Sequence, residues 1–134
     1  MKTTYHGSWH CGAVRFTCDL DLDQGTSKCN CSVCAKARLW KAIARADAMR
    51  LTQGESALSD YQFGSRTIHH LFCRDCGIKI FGRGSMEALG GTFYAVNLAC
   101  LDDLPPAILA RAPVTYEDGR YNNWQAPPAE YDHL

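Results

Sequence analysis

Three thiols fall within six residues at Cys29-Asn30-Cys31-Ser32-Val33-Cys34. A second group follows in the middle of the chain, Cys73-Arg74-Asp75-Cys76-Gly77, and Cys11 stands alone upstream, also followed by a glycine. Thiols this close in sequence do not bridge one another comfortably. A turn of two to four residues points both sulfurs inward, where they converge on one soft divalent ion. The spacing therefore favours a small fold built around zinc, with Cys29, Cys31 and Cys34 as its chemical centre.

The rest of the composition narrows the setting. A chain of 134 residues makes one domain, 1–134, with room for a single core. Fourteen basic residues balance fourteen acidic ones, which speaks against nucleic acid as the main partner. No apolar run approaches the roughly 18 residues of a membrane span. The opening Met1-Lys2-Thr3-Thr4-Tyr5-His6 has no apolar core of a secretion signal. Eight cysteines without such a signal are expected to bind metal in a reducing compartment, the cytoplasm, rather than form disulfides.

Alternation of apolar and polar residues predicts short strands. Tyr5, Gly7, Trp9 and Cys11 share one side of the first, and Val14, Phe16, Cys18 and Leu20 share one side of the second. Asp19 to Ser27 reads as a polar loop. Strands are expected at 41–45, 50–53, 59–63, 66–72, 78–81, 92–101 and 113–117, with Gly82-Arg83-Gly84 closing the knuckle that carries Cys73 and Cys76. Residues 46–49 suit a single helical turn. A short helix with proline in its first turn is expected over 104–110. The tail, 118–134, reads as irregular. Cys18 and Cys100 fall in apolar stripes and read as core residues, not ligands. The sum is a mainly β fold.

The first cluster supplies three ligands with no obvious fourth neighbour. Three protein ligands and an open position describe a catalytic zinc; a fourth thiol from elsewhere, such as Cys18 or Cys100, would instead close a structural one. Three thiolates on a divalent ion leave a net charge of minus one. Such a site suits capture of a further thiolate better than activation of water.

The run His6-Gly7-Ser8-Trp9-His10-Cys11-Gly12-Ala13-Val14-Arg15-Phe16, the Cys29–Cys34 cluster and Phe72-Cys73-Arg74-Asp75-Cys76-Gly77 together resemble the glutathione-dependent formaldehyde-activating enzyme family. Ala95-Val96-Asn97-Leu98 with Leu101-Asp102 is similar to a later strand of that family, and the resemblance covers about residues 5 to 118. It implies a Mss4-like fold of small antiparallel β-sheets with two zinc sites. One, on Cys29, Cys31 and Cys34, is the site linked to glutathione and aldehyde. The other is structural, held by a Cys-x-Cys pair in the first hairpin together with Cys73 and Cys76. The implied reaction is that of a carbon–sulfur lyase, joining the glutathione thiol to formaldehyde as S-hydroxymethylglutathione.

The chain departs from this pattern at Trp9, which stands where the family has the first cysteine of Cys-x-Cys. Indole nitrogen is a donor only and cannot coordinate. His6 and His10 are off-register for the role on an extended strand. The site on Cys11, Cys73 and Cys76 is then a three-thiolate zinc completed by another group, a weak site, or an empty one packed by Trp9. Glutathione carries two carboxylates, and Lys36 and Arg38, just past the first cluster, are candidates to read them. One of His69 and His70 is expected to be buried, and either can relay a proton to an adduct. Asn97 is a further candidate for a hydrogen bond to ligand. The expected partner is a small-molecule thiol or aldehyde. A non-catalytic zinc module that binds a protein is the alternative from another class.

Overall fold

A computed structural model describes residues 1–134. Ten strands and two short helices follow one another as β1 (Thr3–Ser8), β2 (Arg15–Leu20), β3 (Thr26–Cys29), α1 (Ser32–Ala37), β4 (Trp40–Arg45), β5 (Met49–Gln53), β6 (Leu58–Tyr61), β7 (His69–Cys73), β8 (Lys79–Met86), β9 (Gly91–Asn97), α2 (Pro106–Arg111) and β10 (Val114–Glu117). The fold is mainly β, as expected. A three-stranded sheet has the order β1-β2-β5, and a seven-stranded sheet the order β10-β3-β4-β9-β8-β7-β6. Every pairing is antiparallel except β10 with β3, where Glu117 lies beside Cys29. No helix is long and apolar enough to cross a membrane.

The alternation read from the sequence becomes the core. Tyr5, Phe16, Cys18 and Leu20 from the small sheet join Ala42, Ala44, Leu71, Ile80, Phe81 and Val96 from the large one in a single buried cluster. The Phe16 ring meets Phe81 edge-on across the sheets, with centroids 6.4 Å apart, a favoured aromatic geometry. Cys18 and Cys100 are both buried, and burial pushes each thiol up to about 12. A thiol that resists ionisation is a poor metal ligand, so both belong to the core.

Four local expectations are corrected. The polar stretch 19–27 is not all loop: Leu22 is buried in a short 3-10 turn and β3 starts at Thr26. Thr26-Ser27-Lys28 lacks an apolar stripe because this strand is fixed by its neighbours, β4 on one side and β10 on the other. Gly82-Arg83-Gly84 does not close a strand but runs through the middle of β8. A Cβ at Gly84 would stand 2.6 Å from Ile68 Cδ1, so glycine is there for close packing. β7 begins only at His69, after Arg66 has taken a left-handed conformation. β9 ends at Asn97, whose side chain accepts from the Ala99 N–H and turns the chain into a 3-10 turn.

Candidate metal and thiol site

The first cluster sits where β3 runs into α1. Cys29 ends the strand and Cys31 caps the helix, so the local fold carries all three sulfurs to within 4.8 Å of one another. Backbone N–H groups point at the sulfurs. Cys31 N donates to Cys29 Sγ, and Cys34 N to Cys31 Sγ, each at 3.4 Å. These donors stabilise negative charge on sulfur. The Cys31 thiol is lowered most, first by hydrogen bonds from its neighbours Cys29 and Cys34. Cys29 and Cys34 move the other way, each sharing protons with the other thiols. Cys31 is therefore the sulfur that gives up its proton first.

Two lysines supply positive charge beside these thiols. Neither was selected from the sequence. Lys41 lies at the start of β4, mostly buried, with its Nζ 2.6 Å from Glu117 Oε1. Hydrogen bonds with Cys29 and Cys31 raise the Cys34 thiol, and the Lys41 charge opposes that rise only weakly. Lys79 opens β8; burial lowers its ammonium while the charges of Cys34 and Cys31 hold it up. The sheet order explains the grouping. β3, β4, β9 and β8 are successive neighbours, and Lys41 pairs with Asn97 in register. The Asn97 amide donates to the Lys79 carbonyl at 2.9 Å, fixing the start of β8.

Lys79 Nζ donates to His70 Nδ1 at 2.7 Å. The ring thus carries its proton on Nε2. His70 is buried and His69 half-buried, the asymmetry expected of adjacent strand residues. Burial, then the Lys79 charge, push the His70 imidazole down to about 4. It stays neutral near pH 7. Phe63 stacks on its face, with centroids 5.3 Å apart.

Lys36 and Arg38 take other places. Lys36 is exposed on the last turn of α1. Arg38 holds the left-handed cap of that helix and donates to the His133 carbonyl. Both side chains are exposed.

The tail closes over the first cluster instead. Buried Asn30, between the cysteines, donates from Nδ2 to Asp118 Oδ1 at 2.7 Å and accepts from Arg120 N at 3.0 Å. Asn123 N donates to the Asp118 carbonyl, closing a turn. A Cβ on Gly119 would lie 2.6 Å from Cys29 Sγ, 2.7 Å from Trp124 Cη2 and 3.1 Å from Cys31 Cβ. Gly119 is thus the gap through which the Trp124 ring reaches the thiols.

The second cluster is built from two turns. The turn between β1 and β2 presents Cys11, with Gly12 in a left-handed conformation and donating to the Trp9 carbonyl. Cys11 is therefore exposed, not part of the inward stripe that its strand parity suggested. The turn between β7 and β8 presents Cys73 and Cys76. Asp75 N and Cys76 N both donate to Cys73 Sγ at 3.3 Å. The Cys76 thiol is lowered to about 7, chiefly by the Ile78 N–H. Cys11 Sγ and Cys73 Sγ are 3.5 Å apart, and all three sulfurs lie within 4.8 Å.

No fourth ligand joins them. His6 Nδ1 pairs with Asp103 at 2.8 Å and His10 is exposed. Trp9 is 2 % exposed, and its Nε1 is the one buried side-chain donor without a partner. An unpaired buried N–H costs about 1–3 kcal/mol. Both clusters can hold a metal ion, but the second does not fit the closed four-thiolate arrangement that the resemblance implied.

The model of the glutathione-dependent formaldehyde-activating enzyme family matches residues 4–118, which contain both clusters. The chain belongs to that family. It is also similar to a crystal structure of a Rhodobacter sphaeroides protein, with 35% identity, a TM-score of 0.69, and coverage of 82% of this chain and 99% of the other. Gly119 and Trp124 lie beyond the residues that the family model matches.

Proposed function

We propose that the protein is a carbon–sulfur lyase-type enzyme that binds a thiol at Cys29, Cys31 and Cys34 and acts on its adduct with an aldehyde. Glutathione and formaldehyde are the pair suggested by the family to which the chain belongs. The observation that carries this reading is the pairing of three convergent thiols with two half-buried cations, Lys41 and Lys79. Three thiolates around a zinc ion are net negative and would repel an incoming thiolate. Lys41 is itself paired with Glu117, so together with Lys79 the surrounding charges bring that balance to neutral, which relieves the repulsion of an anionic sulfur ligand. When bound, zinc supplies a soft Lewis acid that keeps a substrate thiol deprotonated.

The chain's own residues supply the remainder. Backbone N–H groups of Cys31 and Cys34 orient and stabilise the protein thiolates. Lys41 and Lys79 attract the substrate anion and steer it to the cluster. His70, neutral with its proton on Nε2 and its Nδ1 taken by Lys79, would serve as a hydrogen-bond donor to the adduct oxygen. The cytoplasm is the compartment in which such thiols stay reduced.

Turnover of S-hydroxymethylglutathione, followed by formaldehyde release, tests the assignment. Cys31→Ser is expected to abolish it while leaving the circular dichroism spectrum intact. Unchanged turnover in that variant would remove the cluster from the reaction. Absence of turnover and of thiol binding in the native protein would favour the non-catalytic, partner-binding alternative.

A further inference from the structure

Trp124 is half exposed, yet the tip of its ring and Cys29 Sγ flank Gly119 so closely that a Cβ there would lie 2.7 Å from the one and 2.6 Å from the other. It is not a loosely lying tail residue. Its Nε1 donates to Asn122 Oδ1 at 2.8 Å, with Asn122 in the left-handed region. Asn123 is bonded back to Asp118, and Asp118 to Asn30 in the middle of the cluster. This chain of bonds ties the segment that carries the ring to the cluster, and about half of Trp124 stays exposed. The only residue that can let it approach is Gly119, since any Cβ there would collide with both the sulfur and the ring.

We propose that Trp124 is a specificity-determining wall of the Cys29–Cys31–Cys34 site. It makes that site favour thiols, or thiol–aldehyde adducts, that carry a planar apolar group close to the sulfur and an anionic group further out. The inference rests on reading the cluster as a thiol-binding site. The indole beside the cluster offers an edge-on or stacked aromatic contact to a ring attached near sulfur. Lys41 and Lys79 read the anion. An adduct of a one-carbon aldehyde presents nothing flat for the indole to touch, so the wall acts on whatever larger group the ligand brings.

The test uses full-length protein loaded with cobalt(II), whose sulfur-to-metal absorption bands report ligand exchange at the thiols. Bands of the first cluster are those lost in Cys34→Ser. Two carboxylate-bearing thiols serve as probes, 4-(mercaptomethyl)benzoate and 3-mercaptopropionate. The aromatic probe is expected to bind about tenfold more tightly, the size of one stacking contact, and to quench tryptophan emission. Trp124→Ala should equalise the two probes, whereas Trp124→Phe keeps most of the preference. Equal binding of both probes by the native protein overturns the proposal but leaves the thiol-binding reading standing, as does a preference that survives in Trp124→Ala. If neither probe perturbs the bands, both ideas fail together.

Discussion

The two clusters hold the same number of sulfurs at the same closeness, but their surroundings differ in kind. Around Cys29, Cys31 and Cys34 the fold gathers Lys41, Lys79, His70, Asn97 and a tail segment pinned through Asn30. Around Cys11, Cys73 and Cys76 it offers two tight turns, an exposed thiol and a buried indole with an idle N–H. The anionic ligand of the proposed function falls to the first cluster because of the lysines beside it. The second offers three thiols and no fourth ligand. Sulfur count is the same in both; the charge and the donors nearby are what differ.

Exchanging serine for cysteine in each cluster breaks the comparison most severely. Cys34→Ser should lower adduct turnover at least about a hundredfold, because one of three ligands goes. Cys76→Ser should leave turnover per folded chain within about threefold and instead lower the thermal midpoint. Equal losses of activity in both would show that the clusters share one role. Next in size is Trp9→Cys, which adds a fourth thiol. Metal analysis should find one more ion per chain than in the native protein, and the midpoint should rise by about 5–10 °C. No gain in metal would mean that the turn at Cys11, and not the ligand count, limits the second cluster.

Smaller effects sharpen the electrostatic side. Lys79→Met should weaken binding of a carboxylate-bearing thiol about five- to tenfold at low salt, with little change for an uncharged one. Equal weakening of both would assign Lys79 to packing. The smallest signal comes from His70. Its folded value of about 4 lies below the ordinary 6.5 of a histidine. Between these values the unfolded chain binds a proton that the folded one refuses. Stability from this group is thus complete above pH 6.5 and declines as pH falls toward 4. An imidazole NMR titration should show His70 neutral through pH 6. A midpoint near 6.5 would contradict the burial and the Lys79 contact.

Much of the architecture was legible because it is local. Cys-x-Cys and Cys-x-x-Cys spacings mark turns, and the stripe Val14, Phe16, Cys18, Leu20 marks a half-buried strand whichever neighbours it has. The lysines were not legible. Lys41 and Lys79 look like ordinary strand-end charges until β4, β9 and β8 are laid side by side, and nothing within a few residues reveals that order. Lys36 and Arg38 show the converse. They follow the thiols directly, but Lys36 is exposed on the last turn of the helix and Arg38 is bonded to the His133 carbonyl. β3 was hidden for a related reason: its polar residues gain their partners from β4 and from β10, a strand near the far end of the chain. Trp9 was visible as a misfit in the sequence. Its unsatisfied Nε1 needed the fold.

The bond from Asn30 to Asp118 spans 88 positions, and the parallel pairing of β3 with β10 spans a similar stretch. During synthesis the first cluster emerges early, yet its outer wall arrives only with the last part of the chain. At about 5–20 residues per second, several seconds pass in which three bare thiols face the cell without Glu117, Gly119 or Trp124 around them. A metal ion would meet them in that interval with none of these residues beside the thiols. Loading during translation and loading of the finished protein would then be distinct events with distinct rates, and the late-docking tail would act as the latch between them.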